Sequence, residues 1–130
     1  MSSENPLKAM KTCPVAATLD VLGRKWSILV LRDIYRGRTR FNQMMRSVRG
    51  INPKTLSQRL WELEGEGLVE RRVSPGAPVR VEYMLTEKGR ALRPILESLA
   101  EFSMRWYPER VFIDGKPRPV GALFEPRAKA

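Results

Sequence analysis

At 130 residues the chain suits one domain with a real hydrophobic core rather than two. Histidine is absent and cysteine occurs once, which excludes Ser–His and Cys–His catalysis, histidine-containing zinc sites and an intrachain disulfide. The net charge of +10 is strongly localised: between Arg24 and Arg59 ten basic residues face Asp33 alone, a net +9 over 36 residues, while the other 94 carry +1. Such concentration marks an electrostatic footprint for a polyanion.

Other classes fall away for want of their signatures. No uninterrupted apolar run approaches the roughly 20 residues that span a bilayer, and no segment pairs a basic face with a broad apolar one, as a membrane-surface helix would. The start, "MSSENPLKAMKTC", has no apolar core of the kind a secretory signal needs. A cytoplasmic protein is expected. No phosphate-cradling glycine loop, dinucleotide fingerprint or cluster of acids flanking a candidate cleft appears. An enzyme is therefore not expected, nor a metal or cofactor.

Residues 1–11 read as a flexible N-terminal tail. Cys13-Pro14 then begins a helix, Pro14 to Leu22, which Gly23 stops. The segment "KWSILVLRDIY", Lys25 to Tyr35, is apolar nearly all round, so its helix must be buried against several neighbours. Gly37 ends it. Thr39 is placed to cap a third helix in which Phe41, Met44, Met45 and Val48 fall at i, i+3, i+4 and i+7, and Gly50 closes that helix.

The next helix opens with Asn52 as cap and Pro53 at its first position. Leu56, Leu60 and Leu63 lie on one side; Lys54 and Gln58 lie opposite, with Ser57 and Arg59 at the flanks. Two amphipathic helices joined by so short a turn make a helix-turn-helix candidate. Two strands follow, Leu68 to Val73 and Val79 to Leu85, joined by the turn "SPGAP". Helix, helix, hairpin is the order of a winged helix, with the hairpin as the wing.

Thr86 is a cap for a long final helix whose stripe is Leu92, Ile95, Leu96, Leu99, Phe102 and Trp106. Pro94 predicts either a kink or a break with the main helix restarting there. The stripe is longer than a compact winged domain can cover, so helix pairing with a second copy across a two-fold axis is expected, those six residues forming the dimer interface. An effector pocket between the Trp26 helix and this long helix is a further expectation. From Pro108 onward the proline-punctuated chain reads as an extended C-terminal tail, which leaves residues 12–107 as the domain. The fold class is mainly α with a small β-hairpin wing: a winged helix-turn-helix dimer with a long C-terminal helix.

Three runs, "CPVAATLDVLGRKW" (Cys13 to Trp26), "LSQRLWELEGEGLVERRV" (Leu56 to Val73) and "VRVEYMLTEKGRAL" (Val79 to Leu92), resemble the HxlR family of bacterial and archaeal transcription regulators. That family is a branch of the winged-helix regulators allied to the MarR type. The likeness spans roughly residues 12–106. Arg24 stands where the family usually has a second glycine, and the C-terminal tail has no counterpart in it. The resemblance implies a homodimer that binds a palindromic operator in double-stranded DNA. It also implies a possible sensing role for Cys13, because some members respond to oxidants or electrophiles through a cysteine near the N-terminus. Lys8, Lys11 and the start of a helix surround Cys13 with positive potential, the setting in which reactive cysteines are found.

If the Asn52 helix lies in a major groove, Asn52, Lys54, Thr55, Ser57, Gln58 and Arg59 are its available groups. Gln58 has the geometry to read adenine; Arg59 or Lys54 suits guanine or phosphate. Thr55 and Ser57 suit backbone contacts. Arg80 in the wing, helped by Arg71 and Arg72, would reach a minor groove or its phosphates, and Arg38 and Arg40 would bind phosphate. The alternative is a winged-helix interaction module whose basic block meets RNA or an acidic protein without operator specificity.

Overall fold

The computed structural model describes residues 5–117. A single 3₁₀ turn, Pro6–Ala9, precedes α1 (Pro14–Leu22), α2 (Ser27–Tyr35), α3 (Phe41–Ser47) and α4 (Pro53–Gly65). The hairpin β1 (Val69–Ser74) and β2 (Arg80–Leu85) follows, then α5 (Glu87–Arg90), α6 (Arg93–Trp106) and the short α7 (Pro108–Val111). The order is that of a winged helix-turn-helix with a long C-terminal helix. No helix among the described residues is long and apolar enough to cross a membrane.

The core gathers where α2, α3, α4 and the hairpin converge. Val30, Leu31 and Ile34 of α2 meet Met44 and Val48 from α3, Leu56, Leu60 and Leu63 from α4, and Leu68 and Val69 at the start of the wing. Each helix contributes the side that its spacing assigns. The caps also agree with the sequence in two places. Asn52 Oδ1 accepts from the Thr55 amide at 2.8 Å, and Thr86 Oγ1 accepts from the Gly89 amide at 3.0 Å.

Elsewhere the structure departs from expectation. Trp26 is not helical: it takes φ +83°, left-handed backbone that a non-glycine residue seldom adopts, at a cost of about 1–3 kcal/mol. Its carbonyl starts α2 by accepting from Val30, and its ring closes over the turn between α3 and α4. Gly50 in that turn has φ +92°, and a Cβ there would come within 3.2 Å of the indole. Arg40, not Thr39, is the N-cap of α3; the Gln43 side chain accepts from the Arg40 amide at 3.0 Å. The Thr39 carbonyl instead accepts from Tyr83 of β2 at 2.8 Å, which fastens the wing to the start of α3.

Pro94 produces a break rather than a kink. α5 ends at Arg90 and α6 restarts at Arg93, so the proline falls where its missing amide is harmless. The break lets α5 press into the base of the wing. There Gly89 is buried, and a Cβ on it would lie 2.1 Å from the Leu68 carbonyl oxygen. Tyr35 of α2 donates from its phenol to the Gly89 carbonyl at 2.5 Å, and burial raises the phenol's pKa. α2 therefore packs directly on the break and on α6.

The expected six-residue dimer stripe divides in two. Leu96 is buried within its own chain and Leu92 packs on the core, whereas Ile95, Leu99, Phe102 and Trp106 are exposed. Pro108–Val111 is a helical turn rather than extended chain, and Pro6–Ala9 is ordered as a turn within the expected N-terminal tail. The remainder of both expected tails, residues 1–4 and 118–130, lies outside the described residues.

Candidate nucleic-acid interface

Three side chains fix the outer surface of α4 by opposing the core. With Leu56, Leu60 and Leu63 facing inward, Lys54, Ser57 and Gln58 stand in solvent, and Asn52 is exposed at the cap while bonding Thr55. Thr55 is half-buried. These five expected contacts are brought together along one helix end, where the dipole favours an anion.

Arg59 is held back. Its Nε donates to the Lys25 carbonyl at 2.8 Å and its Nη1 pairs with Glu62 at 2.8 Å, leaving the side chain only 18% exposed. Glu62 also pairs with Arg24. A residue expected to read bases thus clasps α4 to the loop between α1 and α2. Glu62, which lies just past the basic block, is the acid that engages Arg24 and Arg59.

The one acid inside that block is its internal anchor. Asp33 is fully buried; its carboxylate accepts from Ser47 Oγ at 2.9 Å and from Arg32 at 3.0 Å, with Arg38 Nη1 at 3.6 Å. Its carbonyl accepts from the amides of Arg36 and Arg38. Asp33 therefore joins α2, the following turn and α3. Arg38 is thereby partly committed to the fold, although part of its side chain still reaches solvent.

The wing and α3 form a cleft of about 460 Å³ lined by Arg40, Asn42, Gln43 and Arg46 on one side and Pro78 to Val81 on the other. Arg40 and Arg80, separated by 40 positions in the chain, meet there across Glu82, at 3.9 and 4.0 Å from its carboxylate. Such exposed pairs are weak, worth about 0–1 kcal/mol, so both guanidiniums remain available to a polyanion. Arg46 lines this cleft and the adjoining hollow formed by Arg38, Gln43 and Ser47. It was part of the charge count but not of the expected contacts; its position on the outer side of α3, away from Met44, is the signal that could have found it.

The two wing helpers do not act together. In the hairpin register Arg72 opposes Glu82 and Ser74 opposes Arg80, so Arg72 shares a face with Arg80 and pairs with Glu70 at 3.4 Å. Arg71 opposes Tyr83 and belongs to the other face, with Val69 and Leu85. Arg46, Arg49, Lys54 and Arg71 are exposed and make no ion pair among the described residues.

Cys13 is exposed and sits at the N-cap of α1, with Pro14 at the first helical position. α1 itself is unusually bare: Val15 and Leu19 stand in solvent and only Leu22, with Val21 beside it, packs on the core.

Comparison with known proteins agrees with this architecture. The model of the HxlR-like helix-turn-helix family matches residues 21–111. An uncharacterised HTH-type transcriptional regulator of Synechocystis sp., sll1512, is 42% identical over 94 residues, covering 72% of this chain and 70% of that protein. Among solved structures, a chain assigned to the MarR family of transcriptional regulators from Porphyromonas gingivalis W83 superposes with a TM-score of 0.68. It is 35% identical, over 73% of this chain and 93% of that one. The redox regulator HypR in its reduced form gives 0.67 at 41% identity, over 70% and 90%.

Proposed function

The chain belongs to the HxlR-like helix-turn-helix family of transcriptional regulators, and from that premise we propose that it acts as a homodimer on a palindromic operator in double-stranded DNA. The observation that carries this reading is the outer surface of α4. It is polar and carries Lys54 at its N-terminal end, it is preceded by Arg46 on α3 and Arg49 in the turn, which make no ion pair among the described residues, and the Arg40–Arg80 cleft adds further cationic surface. Lys54, Ser57 and Gln58 meet base edges and nearby phosphates. Asn52 holds the helix start, and Arg40, Arg46 and Arg80 grip phosphates on either side.

Dimerisation completes the site, since a palindrome needs two reading helices related by a two-fold axis. The exposed apolar residues of α1 and α6, Val15 and Leu19 with Ile95, Leu99, Phe102 and Trp106, supply a surface for it. Residues 12–107 form the functional unit in this reading, and the protein works in the cytoplasm. Cys13 is the response element: exposed on the otherwise bare α1, it is open to oxidation, and a redox regulator stands among the structural neighbours. With one cysteine per chain, the available products are an intersubunit disulfide, a mixed disulfide with a small thiol, or a sulfenic acid.

Selection of bound sequences from random duplexes tests the reading. Enrichment of a palindrome is expected; equal recovery of all duplexes, or preference for RNA, would favour the interaction-module alternative. Diamide treatment of wild type and Cys13→Ser then isolates the cysteine: operator affinity should change only in the wild type.

A further inference from the structure

The outer face of α4 carries one residue that a polar reading surface does not need. Trp61 continues the stripe of Lys54, Ser57 and Gln58 at i+7 and is 70% exposed. Those four residues alone line a shallow open hollow on that face. Keeping an indole in water forfeits one of the largest apolar burial gains that a side chain offers. The other exposed tryptophan, Trp106, shares its helix with Ile95, Leu99 and Phe102, as suits an apolar partner. Trp61 follows polar residues along its stripe, and on its other side it shares a hollow with Asp20, Val21 and Arg24 that is mostly polar, so a partner with both polar and apolar surface suits it.

Charge identifies that partner. Lys54 begins the stripe, and just before it Arg46 and Arg49 make no ion pair among the described residues. Beyond Trp61 the helix turns acidic: Glu62 is paired with Arg24 and Arg59, while Glu64 and the C-cap Glu66 make no ion pair among the described residues. Trp61 thus stands at the border between a segment that attracts phosphate and one that repels it. Along the axis it lies about 10 Å from Lys54, at roughly 1.5 Å per residue, close to the ~12 Å width of a major groove.

We propose that Trp61 is a positioning residue for duplex DNA, its indole packing on the sugar wall and thymine methyls at the far side of the groove and so setting how α4 sits within it. The inference rests on the DNA-binding reading above and deepens it. An apolar contact of this kind releases no counterions, whereas Lys54 against a phosphate does. The two residues therefore differ in salt dependence as well as in size.

The test uses the full chain as wild type, Trp61→Ala, Trp61→Phe and Lys54→Ala, titrated on the selected operator and on a random duplex over a range of salt. Sedimentation on the same samples reports oligomeric state. Trp61→Ala should weaken both duplexes about tenfold, as loss of a buried aromatic anchor does, with the salt slope unchanged. Trp61→Phe should recover most of that affinity, and Lys54→Ala should lower the slope by about one phosphate contact. Wild-type affinity in Trp61→Ala would overturn the proposal while leaving the function intact. So would a shift from dimer to monomer, which would assign Trp61 to the second copy. Failure of the wild type to bind duplex DNA would remove both.

Discussion

α4 and α6 carry nearly the same apolar spacing and meet opposite fates. In α4 the stripe of Leu56, Leu60 and Leu63 is 0–1% exposed, sealed between α2, α3 and the wing. In α6 the stripe splits: Leu96 and Met104 turn inward, while Leu99 and Phe102 remain 50% and 57% exposed. Periodicity names the face a helix wants to bury but not the molecule that buries it. The first stripe belongs wholly to the fold, whereas the exposed half of the second is the part proposed to meet another copy, and the two should respond differently to mutation.

The largest effect should come from the sealed stripe. Leu60→Ala is expected to cost about 2–5 kcal/mol of folding free energy through lost burial and the cavity left behind, read in denaturant titrations and independent of protein concentration. Phe102→Ala should leave the fold of each chain intact and weaken self-association by about 2 kcal/mol, seen as a shift in the sedimentation isotherm. If Phe102→Ala unfolded the chain as Leu60→Ala does, the division between the helices would be false.

Within α4 the contrast narrows to adjacent residues. Gln58→Ala should leave the melting temperature unchanged and cost about 1.5 kcal/mol of discrimination between operator and random duplex. Arg59→Ala should do the reverse, losing about 1 kcal/mol of stability as its bonds to Lys25 and Glu62 disappear, with discrimination kept. Reversed outcomes would restore Arg59 to the reading surface.

Much of the fold was legible because local rules and burial agreed. α1 begins at Pro14 and ends at Leu22 as Pro and Gly punctuation predicts, Asn52 and Thr86 cap as expected, and the hairpin falls within a residue or two of its predicted strands. The candidate interface was legible in its N-terminal half for the same reason: opposing a leucine stripe fixes where Lys54 and Gln58 point. Trp26 was not legible, because its left-handed backbone answers to Gly50 and α3 across the fold rather than to its neighbours in the chain.

The charge block shows the same limit. Counted along the chain it held one acid; in space Glu62 draws off Arg24 and Arg59, Glu82 sits between Arg40 and Arg80, and Asp33 disappears into the core with Arg32 and Arg38 around it. Coulomb attraction depends on separation in space, not in sequence. The sequence by itself determined the elements, their apolar faces and the sign of the surface, since these depend on short-range periodicity and composition. Only the tertiary structure decided which arginines stay free and which half of the α6 stripe remains uncovered, because each depends on distant segments competing for the same partner.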